Sequence, residues 1–239
     1  GTESVGGEPM LPEAAVALAR CAAQCYLQGK TKLAGELVER LAGVETMLRD
    51  RPAAAGWVAD AFAVRALYTG DLGGYLTSKE AVVKSFGRAG QRRTEVIQRV
   101  RLGYACLEIG DYPRACAELK SALAEATQLG LHQAVALAKH NLGLALARIG
   151  QHAEGQRLEE EAVAIFRAQG DQRLERASRI YLGEILLAAG DLAGAARHME
   201  YVEQSTPERN PIRAYALGQL ARVRVLEGRS ADALELATQ

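Results

Sequence analysis

The sequence predicts an all-α solenoid of stacked helix–turn–helix units. Three observations carry this. A phrase recurs in which a Leu-Gly pair is followed by a second glycine, at Leu102-Gly103 to Gly110, Leu142-Gly143 to Gly150 and Leu182-Gly183 to Gly190, in steps of 40 residues. A fixed period in that range marks a repeat array. The apolar spacing is helical: Val96, Val100, Gly103 and Leu107 follow at four, three and four residues, and Leu158, Ala162 and Ile165 at four and three. No segment alternates with period two over the length of a strand.

The elements follow in order from the small residues. Gly29, Gly70, Gly110, Gly150, Gly190 and Gly228 form one series. Each ends the first helix of a pair, where a left-handed residue falls most easily to glycine. Gly90, Gly130 and Gly170 form a second series, continued by Asn210, and read as the turns between pairs. Before each turn of the first series lies a small residue: Ala22, Ala63, Gly103, Gly143, Gly183 or Ala221. Glycine inside a helix costs about 1 kcal/mol relative to alanine, so its recurrence predicts close helix-to-helix approach. After each turn comes Ala34, Tyr75, Ala115, Gly155, Ala195 or Ala233, with Tyr75 the large exception. Asp71, Asp111 and Asp191 follow turn glycines and read as caps of the second helices. Pro113 falls in a first turn, where its missing N–H does no harm. The expectation is six units over residues 11–239, with helices of roughly 14–18 residues, or about 21–27 Å. Residues 1–10 read as a flexible leader, and the last helix, from near Ser230, as truncated. With no initiator methionine and no polar capping element, the chain reads as a fragment of a longer protein.

Composition narrows the function. Of 239 residues, 49% are apolar, enough for a continuous interface between layers. The 29 basic and 29 acidic residues cancel, which argues against nucleic acid and an acidic membrane as partners. No apolar run approaches the roughly 20 residues of a membrane span, and no signal peptide is visible, so a cytoplasmic location is expected. Cys21, Cys25, Cys106 and Cys116 read as small buried residues in a reducing compartment. His132, His140, His152 and His198 do not complete a metal site with them.

The Leu-Gly pairs, the turn glycines and the small residues after them resemble the tetratricopeptide repeat, over nearly the whole chain from Leu11. A second small position matches at Ala122 and Ala162 and departs to Val202. The common family period is 34 residues. The longer period here implies longer helices, and Arg99, Lys139 and Arg179 stand where the family often has an aromatic residue. The resemblance implies a right-handed superhelical solenoid whose first helices line a concave groove for a protein or peptide ligand. Mapped through the register, the groove residues are Tyr104, Glu108, His140, Asn141, Leu144, Arg148, Tyr181 and Glu184. Tyrosine supplies anchoring area, and amide and arginine pair with a backbone. A family variant grips a C-terminal carboxylate with lysines, asparagines and arginine. Only Asn141 matches it here, since Val100, Tyr104, Ala177 and Tyr181 fill the other slots, so that ligand is not expected.

Other motifs read as structure. Gly29-Lys30-Thr31 resembles the end of a phosphate loop, but Gln24 replaces its first glycine and a helix precedes it. Arg88, Arg92, Arg93, Arg99 and Arg101 read as a solvated turn and helix start, with an anionic-partner contact as the rival. Glu159-Glu160-Glu161 reads as a solvated outer face. No catalytic constellation, cofactor or metal site emerges. The leading expectation is a non-catalytic interaction scaffold in a larger bacterial regulatory protein, similar to arrays in modular kinases and signalling ATPases. An excess of arginine over lysine, 23 to 6, is in keeping with a GC-rich genome. The alternative is a peptide-sensing domain that controls an attached effector.

Overall fold

The computed structural model describes residues 10–44 and 46–238. Apart from residue 10, the expected leader lies outside the described residues. The described residues form twelve helices and no strand. They are α1 (Pro12–Leu27), α2 (Thr31–Glu39), α3 (Pro52–Tyr68), α4 (Leu72–Arg88), α5 (Arg92–Glu108), α6 (Tyr112–Gln128), α7 (His132–Arg148), α8 (His152–Ala168), α9 (Gln172–Ala188), α10 (Leu192–Ser205), α11 (Pro211–Leu226) and α12 (Ser230–Ala237). The chain divides into two compact units, residues 1–110 and 111–239.

The turns follow the glycine series. All six glycines of the first series and all three of the second have positive φ, from 62° at Gly130 to 87° at Gly150. Asn210 departs from this. It precedes Pro211, which disfavours helical backbone in the residue before it. Asn210 is accordingly extended, at φ −88° and ψ 128°, and caps α11 by accepting a hydrogen bond from the Ile212 amide. Asp71, Asp111 and Asp191 cap α4, α6 and α10 as expected, and Asp171 caps α9 in the same way.

In the first unit, α2 stops at Glu39 instead of running the usual 17 residues. Gly43 then adopts φ 80°, which no helix permits, and the turns that follow still bury Leu41, Val44 and Leu48. Tyr75 fills its slot by packing on Ala63, Ala66 and Ala105, with its ring edge toward Tyr104 at 6.4 Å. Cys21 is exposed and Cys25 half-buried, contrary to the expectation, whereas Cys106 and Cys116 are buried.

In the second unit, α7 touches α9 and α9 touches α11, while α8 and α10 do not touch among the described residues. The first helices of this unit thus contact one another in succession, and the second helices do not. Close approach is real at Gly143. A Cβ there would stand 2.9 Å from the Gly155 carbonyl oxygen and 2.8 Å from Glu159 Cγ. A Cβ on Gly155 would stand 2.5 Å from the Gly143 oxygen. The paired glycines let α7 and α8 meet backbone to backbone.

Candidate functional site

The first-helix face of the second unit, called here its inner face, carries exposed side chains of α7, α9 and α11. Arg148, on the last turn of α7, donates to Glu184 Oε2 on α9 at 2.8 Å. The hydroxyl of Tyr215 on α11 donates to the other oxygen of the same carboxylate. Burial and the Glu184 carboxylate push the Tyr215 hydroxyl up to about 12, so it stays a donor at neutral pH. One carboxylate thus ties three first helices together. The Arg148 side chain keeps 46% of its surface exposed, and Tyr215 keeps 45%. Tyr181 stacks flat on the His140 ring at 4.4 Å and 8°.

The expected groove residues separate into three groups. Arg148, Tyr181 and Glu184 lie on this face and are linked as described. His140, Asn141 and Leu144 are buried, at 5–7% exposure, so the expectation of three open groove positions is corrected. Their slots lie where α7 meets its neighbours, and His140 is drawn inward by polar partners. Its Nδ1 lies 3.2 Å from Glu159 Oε2 on α8 and 2.9 Å from the Ser178 hydroxyl on α9. Tyr104 and Glu108 lie in the first unit. Tyr104 is half-buried beside Tyr75, and Glu108 is exposed. The Tyr104 hydroxyl is hydrogen-bonded to Glu108, and burial holds it well above the usual tyrosine range.

Histidine, serine and glutamate together invite comparison with a nucleophile relay. Their geometry argues against one. A relay uses both ring nitrogens, one toward the nucleophile and one toward the orienting acid. Here serine and glutamate both address Nδ1, and Ser178 and Glu159 have no exposed surface. The set is a crosslink of α7, α8 and α9.

Sequence reasoning missed this crosslink. Glu159 belongs to a run read as solvated, yet it is 0% exposed, and only Glu160 of the three is exposed. The signal was the register. Nine residues after their turn glycines stand Lys79, Leu119, Glu159 and Met199, all at most 1% exposed. Lys79 forms the counterpart in the first unit. Its Nζ donates to Asp60 Oδ1 at 2.5 Å and Gln98 Oε1 at 3.2 Å, joining α3, α4 and α5. Of the expected basic stretch, Arg92 and Arg99 pair with Glu95, and Arg101 lies 3.7 Å from Asp60 Oδ2. Among the described residues no group of three or more His, Cys, Asp and Glu could hold a metal ion, and no helix is long and apolar enough to cross a membrane.

No protein-family model matches the chain, and no curated protein matches it in sequence. Solved structures do. One is a signal transduction ATPase with numerous domains carrying a tetratricopeptide repeat sensor, from Pyrococcus horikoshii, at 18% identity and TM-score 0.70. The match covers 97% of this chain but 37% of that one, so this chain spans well under half its length. A second is NprR in complex with its cognate peptide NprX, at 11% identity and TM-score 0.76, covering 98% of this chain and 67% of that one. A third is a kinesin light chain with nearly identical repeats from Podosopora anserina, at 22% identity and TM-score 0.60, covering 80% and 91%. These likenesses concern the fold. The fold is that of a tetratricopeptide-like helical repeat array.

Proposed function

We propose that the chain is a non-catalytic protein-interaction module of a larger regulatory protein, and that the inner face of α7, α9 and α11 receives an extended peptide or protein segment. One observation carries this. Three first helices in direct succession present tyrosine and arginine side chains on one face, with Arg148 and Tyr215 still about half exposed. Such residues anchor interfaces by area and by directional hydrogen bonds. A net charge of zero favours a protein or peptide partner over nucleic acid. Four free cysteines accord with a reducing, cytoplasmic setting. A second reading, a sensor that controls an attached effector, draws support from the fold likeness to the repeat sensor of the signal transduction ATPase.

The test uses a phage-displayed random peptide library selected on the wild-type chain. Enriched peptides should bind an Arg148→Ala, Tyr215→Ala double variant at least about tenfold more weakly, the size of losing one good contact. The variant should keep its wild-type circular dichroism. Unchanged affinity would move the site off this face.

A further inference from the structure

Glu159 sits in a core slot that the repeat fills with Leu119 and Met199 elsewhere. A carboxylate offers about four acceptor sites, and burying it with one oxygen unfilled is costly. That is the case here. Oε2 faces His140 Nδ1 at 3.2 Å, while Oε1 is buried without a hydrogen-bond partner. Gly143 packs against the Oε1 side so tightly that its own Cβ would stand 3.2 Å away. The remaining walls are apolar: Ala162 and Phe166 are fully buried on the same helix, and Phe166 meets the His140 ring edge-on at 6.2 Å.

We propose that Glu159, His140 and Ser178 form a proton-controlled brace on α7, α8 and α9, tight when the carboxyl and imidazole hold a proton between them and loosened when that proton leaves. With the proton present, the pair is either a neutral acid beside a neutral ring or a charge-balanced ion pair. Without it, a net negative charge remains in an apolar wall with one oxygen unfilled. Loosening reaches the inner face directly, because Tyr181 stacks on the His140 ring.

The neighbouring groups leave Glu159 to these partners. From α7 the facing titratable group is His140, and from α9 the Ser178 hydroxyl. Lys139 on α7 is paired with Glu161 on α8. Glu175 on α9 is paired with Arg179 on its own helix and with Arg167 on α8. Burial raises the Glu159 carboxyl from 4.5 to about 7, against the downward pull of His140 and Ser178. A raised carboxyl binds its proton more tightly folded than unfolded. Its contribution to stability is therefore complete below about pH 4.5 and is lost as pH rises through about 7.

The experiment is thermal unfolding by circular dichroism at four pH values between 5.5 and 8.5, for wild type, Glu159→Gln and the exposed neighbour Glu160→Gln. Wild type and Glu160→Gln should lose roughly 5 °C or more of melting temperature across that range, and Glu159→Gln less than half as much. Equal slopes for all three would overturn the brace. If Glu159→Gln does not fold, carbon NMR of the wild-type glutamate carboxyls decides. A Glu159 resonance that titrates near 7 supports the proposal, and one that titrates below 5 overturns it.

Discussion

Residues 1–110 and 111–239 each bury one polar trio, and the two trios occupy the same three positions of the repeat. Asp60, Lys79 and Gln98 in the first recur 80 residues later as His140, Glu159 and Ser178 in the second. The positions halfway between hold Val100, Leu119 and Ala138, all at most 3% exposed. The slots therefore accept either an apolar set or a polar one. The two polar sets differ in how they are satisfied. Lys79 supplies a cation with donors for both Asp60 and Gln98, so charge and hydrogen bonding close together. Glu159 Oε2 faces the His140 ring nitrogen, the Ser178 hydroxyl lies against that same nitrogen, and Oε1 is left without a partner. Burial lowers the Lys79 ammonium from its usual range against the pull of Asp60, so each trio depends on a proton, but only the Glu159 trio leaves a buried oxygen unfilled.

The comparison can be broken most forcefully at Lys79. Lys79→Met leaves Asp60 buried, with only Arg101 at its rim, and should destabilise by about 3–5 kcal/mol in urea unfolding. Replacing the whole trio with the halfway set, as Asp60→Val, Lys79→Leu and Gln98→Ala, should be neutral or stabilising by up to about 4 kcal/mol. A single variant as stable as wild type would show that the first trio is not a balanced unit. Glu159→Met is the matched change in the second unit. It strands an imidazole and a hydroxyl instead of a lone buried carboxylate, so it should cost about 1–3 kcal/mol at pH 6. A loss equal to that of Lys79→Met would erase the distinction between the trios. The finest test compares two glycines at one repeat position. Gly143→Ala must push on the Gly155 backbone and on Glu159, and should cost about 1–3 kcal/mol. Gly183→Ala meets mainly the flexible end of Met199, at 2.6 Å. Against it stands about 1 kcal/mol of helix propensity gained, so its melting temperature should stay near wild type.

Much of this was legible in the sequence because the repeat is punctuated by backbone requirements. Nine turn glycines need positive φ, and three aspartates need only their own following amides, so both follow from local chemistry. Features set by the neighbouring helix were harder to see. Three consecutive glutamates suggest solvent, and only the register, which sets Glu159 beside Leu119 and Met199, points inward. His140 and Asn141 look like groove residues by spacing, but the partners that bury His140 lie 19 and 38 residues away. Neither glycine series marks the early stop of α2 at Glu39, four residues before Gly43.

The contact pattern of the second unit also bears on how it deforms. Its first helices touch in succession, α7 to α9 to α11, while α8 and α10 reach each other only through α9. Flexing pivots on the inner row. Tightening the arc presses side chains already in van der Waals contact, which a close-packed interior resists steeply. Relaxing the arc moves α8 and α10 into open space and strains mainly the Glu184 tie to Arg148 and Tyr215. The expectation is a unit that straightens under load more readily than it curls.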